Sequence, residues 1–336
     1  MTSVIYPSDT VHRQLWKENL FYIKKIHRKI MDIHNIVFTK NRPMQLYGYL
    51  DSLQRFFGAS CISTSVLYKR ELFHSEYEQL FAEFPRLNVI VEDDFHRDLL
   101  SLIRNTSAEY LLFGVDDVMF FASVSMEVVR TAFARHEALL GFSLRLGLNG
   151  QVQDDVDAGN VVTHQWAGER YHLLNWTRGM APATRYPFEL CATIYKTREI
   201  QRLVESTMKG GPSFRKWFAP SSQLVDVLGK VYSRKKLLRS LGYFYNPNTF
   251  ESWCCRYVQR HQDEFGNFLA FQKICATAIQ INLVNTSTNT DWVGDRDLTV
   301  EMLNEQFRRG KRPDIDYVVS RQPTSTHVDR DYFRIA

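Results

Sequence analysis

Hydrophobic positions in this chain change period repeatedly, and the changes mark its elements. Ile36-Val-Phe-Thr39 is a short apolar run that fits a strand, and Pro43 then suits the first position of a helix reaching to Phe57. That helix carries Leu46, Leu50, Leu53 and Phe57 on one face. Cys61–Tyr68 reads as a second strand, Glu76–Phe84 as a helix, Asn88–Val91 as a third strand and Phe95–Arg104 as a further helix. The longest apolar run, Tyr110-Leu-Leu-Phe-Gly-Val115, predicts a strand buried on both faces of a mainly parallel sheet. The alternation predicts an α/β, doubly wound half-domain.

Further along, Met126–His136 reads as a helix and Gly141–Gly147 as a strand with Arg145 on the opposite face from Leu144 and Leu146. Residues 149–168 are polar and poorly periodic, which predicts a long connection. Phe188–Tyr195 is mainly apolar with one acid, Glu189, and a helix follows it. Basic residues mark 217–245 as helical, and Asn248 or Thr249 caps the next helix. Phe271–Val284 predicts a helix giving way to a strand, and Thr299–Arg309 an amphipathic helix. The last twenty-odd residues predict a loosely held tail. Ahead of all this, Ser8–Ile33 reads as an amphipathic helix with a basic face of Arg13, Lys17, Lys24, Lys25, Arg28 and Lys29. That face suits solvent, a partner helix or an anionic membrane surface. These boundaries predict an N-terminal extension over 1–34, a core over 35–210 and a mainly helical region over 211–336.

The apolar run to Val115 stops at two adjacent carboxylates, Asp116 and Asp117. Burying an unpaired acidic pair costs several kcal/mol. Such a pair therefore either faces solvent in a turn or holds a cation, and the carboxyl ends of parallel strands are where α/β sheets bind ligands. Mg²⁺ or Mn²⁺, hard ions sharing oxygen ligands with phosphates, suits it. The turn Lys40-Asn41-Arg42 precedes a helix start and offers an anion contact. Neither Gly-x-Gly-x-x-Gly nor a Walker loop is present.

Composition adds little beyond exclusions. A net charge of +5 across 336 residues is too small to argue for nucleic acid. Five cysteines, with one vicinal pair and no regular spacing, argue against a disulfide framework and against structural zinc, so a cytoplasmic setting is expected. No apolar run reaches the roughly 18 residues of a membrane span.

Four stretches taken in order resemble the GT-A-fold, sugar-nucleotide-dependent glycosyltransferases, related to the large inverting family 2-like group. They are Ile36-Val-Phe-Thr-Lys-Asn-Arg-Pro-Met-Gln-Leu46, Leu111-Leu-Phe-Gly-Val-Asp-Asp-Val118, Phe142-Ser-Leu-Arg-Leu-Gly147, and Tyr186-Pro-Phe-Glu-Leu190 with Ile194-Tyr-Lys-Thr197. A weaker fifth is Asn246-Pro-Asn-Thr-Phe-Glu251. The resemblance implies a GT-A-like, Rossmann-like sheet flanked by helices. It implies that Thr39, Asn41 and Arg42 face the nucleotide, and that Asp117 coordinates Mn²⁺ or Mg²⁺ with Asp116 beside it toward ribose, sugar or the same ion. Arg145 then helps hold the donor, and Glu189 takes the acceptor's proton, with neighbouring acids and burial raising its pKa. The implied partners are a nucleoside-diphosphate sugar, a UDP-sugar first, and a hydroxyl of a glycan or glycolipid, with inversion at the sugar. Nucleic acid is not among them; peripheral contact with a membrane through the basic helices is.

Two positions depart from the family pattern. Val115 stands where the first acid of Asp-x-Asp falls, and Cys191-Ala-Thr193 stands where relatives carry Asp-Gly-His. Three other readings fit parts of the sequence. One is a nucleotidyltransferase of related fold; another is a basic protein that binds nucleic acid or a partner without catalysis; the third is a scaffold that has lost activity. His164 and His172 could each add a metal ligand, although an isolated histidine is more often structural.

Overall fold

The computed structural model describes residues 33–57, 62–136, 138–150, 152–209, 243–282 and 298–336. The expected helix over 8–33, apart from Ile33, and most of the basic stretch over 217–245 lie outside these residues.

Strands β1 (Ile33–Lys40), β2 (Ile62–Lys69), β3 (Asn88–Val91) and β4 (Tyr110–Val115) form the parallel half of a nine-stranded sheet ordered β3-β2-β1-β4-β9-β6-β10-β8-β7. Helices Pro43–Phe57, His74–Glu83 and Phe95–Asn105 connect them. This is the α/β architecture read from the apolar runs. It forms because β1 and β4 are buried on both faces and so need a helical layer on each side. Two core clusters result, one built on Val37, Tyr49 and Leu112 and the other on Ile36, Phe38 and Leu111. Backbone approach at the centre is close: a Cβ on Gly114 would meet the Tyr49 hydroxyl at 2.1 Å. That hydroxyl is buried and donates to Asn35 Oδ1 at 2.7 Å.

Beyond β4 the sheet becomes mixed. β9 (Thr193–Lys196) runs antiparallel to both β4 and β6 (Leu139–Ser143). β10 (Asn267–Phe271) lies parallel to β6 and antiparallel to β8 (Glu169–Asn175), and β7 (Val161–Trp166) closes the edge against β8. A small second sheet joins β12 (His327–Val328), β11 (Ala276–Ile279) and β5 (Val118–Phe120) in that order.

Several local expectations change. The strand expected over 141–147 ends at Ser143, and Arg145 sits in a bend just beyond it, 5% exposed. The polar connection 149–168 contains a short helix, Gln153–Asp157, and the edge strand β7, none of whose side chains is buried, which is why it lacked an apolar signature. No helix precedes the strand in 271–284, where β10 and β11 follow each other across a bend. The tail is held: helix Ile315–Arg321 packs there, Pro313 bridges to Ile335, and Phe333 is buried. Tertiary pairing, which propensity does not report, decides each case.

The cap at Asn246 is a full capping box with Thr249, and the helix runs Pro247–Arg260. No helix among the described residues is long and apolar enough to cross a membrane.

Candidate functional site

Because β1 and β4 are adjacent and parallel, Thr39-Lys-Asn-Arg42 and Asp116-Asp117 emerge side by side at their carboxyl ends. Phe38 pairs with Val115, so Thr39 follows directly beside Asp116. Asp116 is buried and both of its oxygens are engaged. Oδ1 accepts from Arg42 Nη1 at 2.8 Å, and Oδ2 accepts from Thr39 Oγ1 at 2.9 Å and from the Lys40 amide at 3.3 Å. Burial pushes its carboxyl above the usual range, with the Arg42 charge opposing.

Asp117 lies further out, its side chain 22% exposed, and meets Arg42 Nη1 through Oδ2 at 3.2 Å. Arg42 is itself buried, and Asp116 and Asp117 hold its guanidinium charged against the cost of desolvation. Its Nη2 donates to the Asn282 carbonyl, and its buried Nε has no hydrogen-bond partner among the described residues.

The turn is rigid for identifiable reasons. Asn41 adopts φ 58°, the left-handed region that asparagine tolerates better than most residues. Its side-chain oxygen accepts from the Leu72 amide at 3.0 Å. The Tyr77 hydroxyl accepts from the Arg42 amide at 2.9 Å and lies 2.7 Å from Thr39 Oγ1. Since Thr39 donates to Asp116, Tyr77 donates to Thr39, and the Tyr77–Thr39–Asp116 chain is closed. Asn41 therefore turns toward Leu72 and Glu71, while Thr39 and Arg42 spend their polar groups on the acidic pair.

A cavity of ≈ 330 Å³ contains the other expected residues. Arg145 and Glu189 both line it and form an ion pair, Arg145 Nη2 to Glu189 Oε2. Thr193 Oγ1 donates to the other oxygen, Oε1. The Tyr195 hydroxyl fixes the backbone beneath, accepting from the Glu189 amide at 3.1 Å and donating to its carbonyl at 2.7 Å. Glu189 was expected among acids. The partner found is the buried guanidinium of Arg145. Arg145 also donates to the Thr326 carbonyl at 3.2 Å and has His327 Nε2 at 3.4 Å. Burial, with the Arg145 charge added, pushes the His327 imidazole down to about 4 against the opposing pull of Asp117. His327 thus feels charges from both the cavity and the acidic pair.

Sequence reasoning missed several residues here. Tyr77, Asn282, Thr326 and His327 contact the site from distant parts of the chain, and no local signal marks them. Glu251 gave one signal, its place at the end of the weak fifth stretch. It accepts from the Tyr186 hydroxyl at 2.6 Å and the Leu190 amide at 3.0 Å. His164 and His172 lie in the β7–β8 hairpin, away from Asp117, with Tyr171 stacked on His164 and Thr163 3.0 Å from His172.

The backbone at Cys191-Ala-Thr193 shows why a glycine would fit better where this chain carries alanine. Ala192 has φ 61°, is fully buried, and donates its amide to the Phe113 carbonyl at 2.9 Å. A left-handed conformation costs a residue with a Cβ about 1–2 kcal/mol, so glycine is the natural occupant. Ala192→Gly is expected to raise stability by up to about 1 kcal/mol after the entropy that glycine gains in the unfolded chain is deducted. An unchanged or lower urea midpoint would remove this account.

Among the described residues, no group of three or more His, Cys, Asp or Glu side chains could hold a metal ion. The chemistry of the acidic pair still fits a hard ion in one way. Asp117 is partly exposed with one oxygen on Arg42, and Mg²⁺-like ions commonly take one or two protein carboxylates and complete their shell with phosphate and water. Asp116, expected as a second ligand or a ribose contact, has both oxygens occupied by protein donors.

No family model matches this chain. It is 23% identical over 292 residues, 80% of its length, to a bifunctional glycosyltransferase, pgtA, of Dictyostelium discoideum. The chain spans only 37% of that protein. Similar solved structures include residues 1–349 of S. aureus TarS in complex with UDP, at 13% identity and TM-score 0.37, covering 69% of this chain and 72% of that one. Another is the mannosyltransferase PcManGT of Pyrobaculum calidifontis in complex with GDP-Man and Mn²⁺, at 11% identity and TM-score 0.35, covering 67% and 69%. The likeness over four-fifths of the chain makes it a distant relative of a glycosyltransferase.

Proposed function

We propose that this chain transfers a sugar from a nucleoside-diphosphate sugar to a hydroxyl of a glycan or glycolipid. The observation that carries the reading is the meeting of Thr39, Arg42, Asp116 and Asp117 at the carboxyl ends of two adjacent parallel strands, where α/β sheets bind nucleotides. The likeness to a glycosyltransferase supports it. A UDP-sugar is the first donor to try, and inversion is the proposed stereochemistry.

In this reading the rigid turn 39–42 borders the nucleotide and Arg42 keeps the acidic pair from collapsing outward. Asp117 would hold Mn²⁺ or Mg²⁺, which when bound stabilises the charge of the departing diphosphate. The cavity takes the sugar end of the reaction. Its walls divide chemically: Leu146, Pro182, Ala183 and Phe268 offer apolar surface, and Ser143, Arg145, Glu189, Thr193 and His327 offer polar groups. A sugar presents both kinds of surface, and a small set of fixed polar groups in an otherwise apolar wall is how such sites orient ligands. Glu189 lines the place where the acceptor hydroxyl would lose its proton, with Arg145 and Thr193 on its two oxygens.

The test is release of nucleoside diphosphate from a panel of UDP-, GDP- and other nucleotide sugars, with and without Mn²⁺, alongside thermal unfolding. A bound donor at a hundredfold excess over its Kd stabilises the folded protein by about 2.7 kcal/mol. One donor class is expected to stabilise and to turn over in the presence of Mn²⁺. A panel with neither stabilisation nor release would overturn the reading.

A further inference from the structure

Glu189 lines the cavity and Glu251 lies behind Tyr186, which lines it too, and the two carboxylates are held in opposite ways. Glu189 is clamped: a buried guanidinium holds one oxygen and a threonine hydroxyl the other. Glu251 enters from the helix Pro247–Arg260 and has no ion pair among the described residues. Its Oε2 accepts from the Leu190 amide at 3.0 Å, and its Oε1 accepts from the Tyr186 hydroxyl at 2.6 Å. Tyr186 lines the cavity and is 42% exposed, so its oxygen is reachable from the ligand side while its proton points at the half-buried Glu251.

We propose that the acceptor's proton leaves through Tyr186 to Glu251, with Glu189 kept as the counter-ion of Arg145. This rests on the sugar-transfer reading above. As the acceptor oxygen forms its bond to the anomeric carbon, its O–H proton passes to the Tyr186 oxygen. The Tyr186 proton passes to Glu251 Oε1 in the same movement, and the bond from sugar to diphosphate breaks with its electron pair on the diphosphate. One proton arrives at the tyrosine and one departs, so it ends neutral, and Glu251 ends protonated.

The environment suits a proton acceptor. Burial pushes the Glu251 carboxyl above its ordinary range, opposed by the Tyr186 and Leu190 hydrogen bonds and the Arg145 charge. A carboxylate whose affinity for protons is raised toward working pH makes the better base. The titratable groups that face it are Tyr186, Arg145, Tyr195, Cys191, Cys254 and Cys255. Burial holds the three thiols and both phenols in their neutral forms, so none of them competes for the proton.

The experiment compares kcat, KM and the pH profile of wild type, Glu251→Gln, Glu251→Asp, Tyr186→Phe and Glu189→Gln with the donor the panel identifies. Glutamine keeps an acceptor for the Leu190 amide, and donor-induced thermal stabilisation reports whether each variant is folded and binds. Expected are a fall in kcat of roughly a hundredfold or more in Glu251→Gln and in Tyr186→Phe, with donor KM changed less than about threefold. Partial recovery in Glu251→Asp is expected too. Wild-type kcat is expected to fall with pH below the raised carboxyl pKa, and that acid limb to vanish in Glu251→Gln. Near-wild-type kcat in Glu251→Gln or Tyr186→Phe, with the acid limb abolished by Glu189→Gln instead, would overturn the relay and leave sugar transfer standing. A wild type that transfers nothing overturns both.

Discussion

Arg42→Ala is expected to lower folding stability by about 3–5 kcal/mol, read as a shift of the urea midpoint with the slope unchanged. The side chain is 6% exposed and neutralises two carboxylates at once, one of them buried. Removing it leaves Asp116 with the Thr39 hydroxyl and the Lys40 amide as donors, and no positive charge of its own. A typical domain has only about 5–15 kcal/mol in total, so the loss is a large share. The pH dependence follows from burial, which already raises the Asp116 carboxyl and raises it further once the guanidinium is gone. A raised folded-state pKa means that the folded protein binds more protons than the unfolded chain in the window above the usual carboxylate value. Stability in that window therefore falls as pH rises. The deficit of Arg42→Ala is thus largest at neutral pH and narrows as the medium is acidified through the raised pKa. Asp116→Asn in the same background should recover part of it, since an amide needs no counter-charge. A single variant within about 1 kcal/mol of wild type would show that water replaces the guanidinium at no great cost.

The same residues mark how far sequence alone reached. The strand–turn–helix from Ile36 and the acidic end of β4 were legible because each is a local pattern: an apolar run, a proline at a helix start, two acids where the run stops. What the pattern left open was which acid faces inward. Asp116 takes the buried place because Thr39, Lys40 and Arg42 converge on it, a matter of β1 lying beside β4. Arg145 and Glu189 were both singled out, but their pairing was not, because they are brought together by β9 folding back between β4 and β6. Asn282 and His327 were beyond reach for the same reason at longer range, and the weak fifth stretch that ends at Glu251 did not say what that acid would meet. Each belongs to the region expected to be mainly helical: Asn282 and His327 are brought in by β11 and β12 of the small sheet, and Glu251 by the helix Pro247–Arg260, whose Phe250 packs on Phe113 and Phe188. The tail read as loose because its residues are polar and short in period, whereas its order comes from helix Ile315–Arg321 and from β12 pairing with β11.

Asp117→Asn separates the chemistry of the acidic pair from its structural role. Unlike Asp116, Asp117 is partly exposed and meets Arg42 at 3.2 Å, so the cost in stability is expected to stay within about 1 kcal/mol. The asparagine oxygen can still accept that hydrogen bond, and the Asp117 carbonyl still accepts from the Ile279 amide at 2.9 Å, which keeps β4 and β11 in place. What is lost is the negative charge of the carboxylate in the pair least occupied by protein donors, the one suited to a hard divalent ion. If Asp117 holds that ion, wild type gains thermal stability from nucleoside diphosphate only when Mn²⁺ is present, and Asp117→Asn gains none. Transfer is then expected to fall by roughly a hundredfold or more, since a metal's stabilisation of developing charge is worth several kcal/mol and 1.36 kcal/mol is a factor of ten. Arg42 gives the comparison its force: both variants weaken the site, but Arg42→Ala acts through folding and loses binding of every ligand, whereas Asp117→Asn stays folded and loses only what depends on the ion. A folded Asp117→Asn with wild-type Mn²⁺ dependence would move the ion away from Asp117, and with it the assignment of the diphosphate to this end of the sheet.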